Sequence, residues 1–219
     1  MSAPLTLYTY WRSSAAFRVR IALHLKGLLF DSVPVHLVRD GGQQRTPAYA
    51  ARNPQRLVPT LTHGDVVLTQ SLAIIEYLDE VFPSAPLLPT DPLSRHRARA
   101  LAQLVACDIH PLGNLRVLQY LEQELQLPAD ARTQWISRWI RDGLSAFETL
   151  LERAQGGDFC IGTSPTLADC ALVPQLYNAR RFGIDLTPYP RLRHIDATCM
   201  ALPAFQAAAP ERQPDAPSA

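Results

Sequence analysis

Residues 83–92, PSAPLLPTDP, place four prolines in ten positions and show no hydrophobic period. Neither a helix interior nor a central strand tolerates that spacing, because each proline removes a backbone donor and fixes φ. The stretch therefore divides the chain, and its two sides differ in kind. Before it, short β-like runs alternate with helical ones; after it, only helical periodicity is found. Two domains joined by a linker are expected, with bounds 1–83, 84–92 and 93–219. A chain of 219 residues is long enough to give each domain a core.

In the first domain, residues 5–10, LTLYTY, alternate as a half-buried strand does. Ser13 and Ser14 suit the cap of a helix running to about residue 26, and Gly27 supplies its stop. Residues 33–38 read as a second strand, 40–44 as a loop and 46–52 as a short helix. Residues 57–61 and 66–69 are two strands with the hairpin signal His63-Gly64-Asp65 between them. Ser71 is expected to cap a helix whose apolar positions Leu72, Ile75 and Leu78 keep a helical period. The order is βαβ followed by αββα, an α+β domain. Past the linker, residues 95–125 read as one long amphipathic segment bent at Pro111, and 133–154 as a second helix. Thr166 and Asp169 have the form of a capping box opening a helix to about residue 182. A last helix follows Pro190. The Ala- and Pro-rich tail, 206–219, is expected to be mobile or loosely draped.

Composition excludes several classes of function. Lys plus Arg is 21 and Asp plus Glu is 20, so the formal net charge of +1 favours neither nucleic acid nor a membrane surface. Lys26 is the only lysine, and arginine forks suit carboxylate recognition, although a GC-rich genome produces the same skew. The start, MSAPLTLYTYWR, lacks a secretory pattern, and no run has the length of a membrane span, so a cytoplasmic protein is expected. Cys107, Cys160, Cys170 and Cys199 match no zinc or C-x-x-C spacing, which points to reduced thiols and no metal.

Three segments carry chemistry. Ser13 and Ser14 lie where a strand gives way to a helix, and such a terminus stabilises an anion. A hydroxyl there can donate to a thiolate and lower its pKa. Pro59 sits inside a strand pattern, where it forfeits a ladder donor; a cis bond before it leaves the Val58 backbone available to a ligand peptide. Gln70 and Ser71 precede a helix whose free N–H groups can hold a carboxylate. Singly, each reads equally well as a cap or an edge strand. Together they outline a thiol, a peptide and a carboxylate, the parts of γ-Glu-Cys-Gly.

The strings YWRSSAAFRVRIALHLKG, DGGQQ, NPQRLVPTL, QSLAIIEYLDE, DIHPLGNLRVLQYL, TLADCALVPQLYNARRF and DLTPYP fall in order along the chain. In these it resembles the zeta class of glutathione transferases, whose bacterial members include maleylacetoacetate and maleylpyruvate isomerases. The resemblance covers nearly the whole length. It implies a thioredoxin-like first domain, an all-α second domain, a homodimer, and glutathione as the cofactor. Carried over position by position, the thiolate-stabilising serine falls on Ser13, with Ser14 beside it. The peptide contact falls on Val58 ahead of Pro59, the γ-glutamyl contacts on Gln70 and Ser71, and further glutathione contacts on Gln44, His110 and Asn114. Ala15 stands where many members carry a cysteine, so a reaction needing a protein thiol there is not expected. Isomerisation is unaffected, since glutathione supplies the thiol.

The implied substrate is a maleyl diacid, with maleylacetoacetate favoured over maleylpyruvate, and its carboxylates call for cations. Arg12 lies beside the thiol position, Arg116 follows His110 and Asn114, and Arg180 and Arg181 end a helix. Arg181 aligns best with the family's arginine, and Arg180 is its rival. Two other readings stay open: a general glutathione transferase conjugating electrophiles, and a non-catalytic binding protein of the same fold.

Overall fold

The computed structural model describes residues 3–154 and 157–217. Backbone proximity divides the chain into two compact units, Met1–Leu87 with Ala201–Ala219, and Leu88–Met200. The first unit opens with β1 (Leu5–Thr9), α1 (Ser14–Leu25), β2 (Asp31–Pro34), α2 (Pro47–Arg52), β3 (Thr60–His63), β4 (Val66–Thr69) and α3 (Ser71–Val81). Its sheet runs β2-β1-β3-β4, with β1 parallel to β2 and the other pairs antiparallel. Leu5, Leu7 and Leu61 on the strands pack with the buried α1 and α3 residues Phe17, Ile21, Ile75 and Leu78. α1 is buried on nearly every side from Ala16 to Leu23, so its sequence shows little amphipathic period. Lys26 closes this unit near the linker, donating to Asp79 at 2.7 Å and to the carbonyls of Ser84 and Ala85.

Two strands sit elsewhere than the pattern indicates. β2 begins at Asp31, opposite Thr6, and ends at Pro34 instead of spanning 33–38. Beyond it the His36 N–H turns to Gln43 Oε1 at 2.8 Å, which draws the chain off the sheet. β3 begins at Thr60 and not at 57, because the Leu57 carbonyl is taken by Tyr49 Oη and Asn53 Nδ2 at 2.7 and 2.8 Å. Ser71 is the first residue of α3 and not its cap; the cap position belongs to Gln70.

The second unit holds α4 (Pro92–Gln103), α5 (Leu115–Gln123), α6 (Ala129–Ala154), α7 (Leu167–Arg181) and α8 (Pro190–Met200). The expected single segment over 95–125 is broken. A π-helical turn spans Leu104–Ile109, a 3-10 turn spans His110–Gly113, and Asn114 caps α5. Pro111 cannot continue the helix, and the close approach of α6 helps fix the distortion. A Cβ on Gly143 would lie 2.3 Å from the Ile109 side chain, so only glycine permits that approach. The capping box at Thr166 forms as read: Asp169 accepts from Thr166 N–H at 2.7 Å, Thr166 Oγ1 at 2.8 Å and Cys160 N–H at 2.8 Å. Buried Glu148 caps α8 in a similar way, accepting from the N–H groups of Arg191 and Leu192.

The C-terminal segment corrects the expectation of a loose tail attached to the helical domain. α9 (Pro203–Ala208) and the residues after it fall within the first unit, and α9 packs on α1. Phe205 and Ala208 have no exposed surface, and a 3-10 turn follows over Pro210–Arg212. Burial of an aromatic anchor outweighs the low helix propensity of the prolines around it.

Candidate functional site

The sheet register gathers the three segments singled out above. Thr9 ends β1, Thr60 begins β3 opposite Tyr8, and Thr69 ends β4 opposite Thr60. The residues next along the chain are Tyr10 to Ser14, Pro59 with Val58, and Gln70 with Ser71. All three therefore lie at one end of the same sheet.

Ser13 is the N-cap of α1, with φ −71° and ψ 116°, and its Oγ accepts from the Ala16 N–H at 3.2 Å. The cap uses an acceptor lone pair and leaves the hydroxyl proton available to a further acceptor. Ser14 is buried within the first turn. Arg12 is exposed, and its guanidinium lies over the Trp11 ring at 5.3 Å.

The Val58–Pro59 bond is cis. Val58 is buried with Tyr10, Val35 and Tyr49 in one apolar cluster, yet its backbone lies outside the paired ladder, which starts at Thr60. Gln44 is also buried. Its Nε2 donates to the Leu37 carbonyl at 3.1 Å, while its Oε1 has no partner among the described residues. A buried acceptor without a partner is costly and marks a place where a ligand donor fits.

Gln70 has φ +68°, an uncommon value for a residue with a side chain, and its Nε2 donates to Gln55 Oε1 at 3.0 Å. Such strain persists where the surroundings hold it, and it clusters at binding sites. Ser71 Oγ accepts from Arg18 Nη1 at 3.2 Å, across α1 and α3. Arg18 and Gln55 escaped sequence reading. Nothing in a string of residues shows that positions 53 apart will meet.

In the second unit, His110 opens the 3-10 turn and Asn114 caps α5 by accepting from the Arg116 N–H at 3.1 Å. Arg116 is exposed. Arg180 is ion-paired with Asp196 of α8, a carboxyl that burial pushes above its ordinary range. Arg181 stacks over the Phe182 ring at 4.4 Å. Burial, reinforced by the Asp169 charge, also pushes the Cys160 and Cys199 thiols up, which leaves them poor nucleophiles. No His, Cys, Asp or Glu cluster among the described residues could hold a metal, and no described helix is long and apolar enough to cross a membrane.

Residues 12–81 match the family described as Glutathione S-transferase, N-terminal domain, and residues 133–194 match its C-terminal domain. A maleylacetoacetate isomerase of Pseudomonas aeruginosa is 51% identical over 216 residues, covering 97% of this chain and 99% of its own. A solved structure described as holo maleyl pyruvate isomerase, a bacterial glutathione S-transferase in Zeta class, is 48% identical with a TM-score of 0.93. It covers 97% of this chain and 100% of its own. A maleylacetoacetate isomerase of Anaeromyxobacter dehalogenans 2CP-1, solved with GSH in its active site, is 48% identical with a TM-score of 0.88. It covers 99% of each chain.

Proposed function

Since this chain belongs to the glutathione transferase family, in its zeta class, we propose that it is a glutathione-dependent cis–trans isomerase of a maleyl diacid. Maleylacetoacetate is the favoured substrate and maleylpyruvate the second. The observation that carries the reading is the convergence, at one end of one sheet, of a helix-capping serine, an unpaired strand edge and a strained helix start.

The residues fit glutathione. Gln70, Ser71 and the α3 N-terminus suit the γ-glutamyl carboxylate, the Val58 backbone suits the cysteinyl peptide, and Gln44 Oε1 offers an acceptor to a ligand N–H. Bound glutathione supplies the sulfur nucleophile that opens the cis double bond to rotation and then leaves. The chain's own part is electrostatic. Ser13 directs a hydroxyl proton and the α1 N-terminus a partial positive charge at one point, which favours the ionised thiol. Arg12 carries a fork next to that point and suits a substrate carboxylate. In the helical unit, Arg180 is committed to Asp196, which favours Arg181 as the second carboxylate ligand. His110, Asn114 and Arg116 are assigned supporting binding roles.

A homodimer is part of this reading. Val66 and Val67 on the edge strand β4, and Val81 at the end of α3, leave apolar surface exposed, as does Leu93 on α4. A place in the breakdown of aromatic compounds, in the cytoplasm, follows from the substrate class. The deciding experiment is turnover of maleylacetoacetate and maleylpyruvate with and without glutathione. Isomerisation of at least one, strictly dependent on glutathione, is expected. Conjugation of neutral electrophiles with no isomerisation would replace this reading by that of a general transferase.

A further inference from the structure

Between β1 and α1 the chain turns through Tyr10, Trp11 and Arg12, and the Ser13 N–H closes the turn on the Tyr10 carbonyl at 2.9 Å. Both polar groups of the Trp11 backbone are held by residues outside this loop. Its N–H donates to Asp215 Oδ2 at 2.9 Å, and its carbonyl accepts from Arg20 Nη2 at 2.9 Å. Arg20 is 0% exposed. Its Nε donates to the Ala208 carbonyl at 3.0 Å, and its Nη1 to Thr9 Oγ1 at 3.0 Å and the Tyr10 carbonyl at 3.4 Å. One guanidinium therefore joins the end of β1, the loop and the end of α9.

The tail is folded so as to deliver Asp215. Gln213 Nε2 donates to the carbonyls of Ala207 and Ala209 at 3.0 and 2.9 Å, and the Ala216 N–H donates to the Gln213 carbonyl at 3.0 Å. Phe205 and Ala208 anchor the segment in the core, and Pro210 is buried. A loop backbone of this kind is ordinarily left to solvent. Here it is held from both sides, on one side by a charge-assisted bond to a carboxylate. Arg12 and Ser13 follow Trp11 directly, so their positions inherit that restraint.

We infer that residues 203–217 form a strap that sets the β1–α1 loop, with Arg20 and Asp215 as positioning residues for the Ser13 hydroxyl and the Arg12 guanidinium. The effect on the thiol rests on the glutathione reading above. The strap itself does not, and amide hydrogen exchange tests it in the unliganded protein.

In Asp215→Ala, the Trp11 amide should exchange about tenfold faster or more, as loss of one charge-assisted bond implies. The Ile21 amide in the middle of α1 should be unchanged. The thiol of bound glutathione, followed by its ultraviolet absorbance, should ionise at higher pH, and kcat should fall more than KM rises. Asp215→Asn keeps an acceptor oxygen and should restore most of each effect. In the wild-type chain at low urea, the Trp11 amide should open together with those of Gln213 and Ala216, which tests the strap even if the alanine variant does not fold. Unchanged Trp11 exchange in Asp215→Ala, or wild-type opening of Trp11 only with global unfolding, overturns the strap. Faster exchange with unaltered thiol ionisation overturns the positioning role. Failure of the wild-type protein to ionise glutathione would sink the glutathione reading, with exchange still deciding the strap.

Discussion

Replacing Ser13 separates two tasks that the structure assigns to one oxygen. As an acceptor, Oγ caps α1 through the Ala16 N–H at 3.2 Å. As a donor, the same hydroxyl keeps its proton for the thiol. Ser13→Ala removes both. Loss of the cap should cost about 1 kcal/mol of stability. Loss of the donor should lower turnover about tenfold or more, the low side of what one donor to negative charge is worth. Ser13→Asp restores the acceptor, so its stability should return to within about 0.5 kcal/mol of wild type. It supplies no proton and sets a like charge beside the thiolate, so its turnover should fall at least as far as that of Ser13→Ala. Ser13→Thr keeps both functions and should retain most activity. Ser14→Ala should affect turnover less, because Ser14 lies buried inside the first turn. Urea midpoints report the cap, and the pH profile of kcat/KM together with thiol absorbance reports the donor. Wild-type turnover at neutral pH in both Ser13→Ala and Ser13→Asp would refute the donor argument. The helix terminus alone would then be holding the thiolate.

Four further outcomes are expected. Asp169→Ala strands the buried Thr166 and Cys160 N–H groups, at about 1–3 kcal/mol each, and should lower the urea midpoint sharply, whereas Asp169→Asn keeps one acceptor oxygen and should lose less. Burial, and secondarily the Arg20 charge, holds the His24 imidazole below its ordinary 6.5. The unfolded chain then binds more protons than the folded one just below that value, so stability should decline as pH falls through it. His24→Gln should flatten that decline in urea titrations between about pH 5 and 7.5, and an unaltered slope would show that other groups carry it. Arg12→Met and Arg181→Met should impair the maleyl diacid about tenfold or more while sparing a neutral halodinitrobenzene; equal losses on both would mean the arginines support the fold or glutathione. Light scattering at micromolar protein should give twice the chain mass, and a monomer would remove the homodimer from the reading without touching the chemistry.

How much of this was visible in the residues follows from the range of each interaction. The Thr166–Asp169 box was readable because its partners are three positions apart and answer to local geometry. Gly27 marked the end of α1 for the same reason: its φ of +63° is a local demand that glycine meets freely. The β2 and β3 bounds were missed because side chains of Gln43, Tyr49 and Asn53 take backbone groups that a strand pattern assigns to the ladder. The expected tail was wrong because composition describes solubility, not the pocket that receives Phe205.

The sequence by itself determined the division of the chain, the α+β order of its first part, and the candidate residues Ser13, Val58, Gln70 and Ser71. Each of these rests on neighbours within a turn or on a period along one element. Tertiary structure alone decided that those residues share one end of a sheet, that Arg18 reaches Ser71, and that Arg180 is taken by Asp196. It alone joined Trp11 to Asp215 across 204 positions and Arg20 to Ala208 across 188. Most acceptors of Arg20 are backbone carbonyls, which every residue carries, so no side-chain pattern announces them. Closing so long a loop has an entropic cost that only the packed fold offsets, and the contact exists only once that fold has formed.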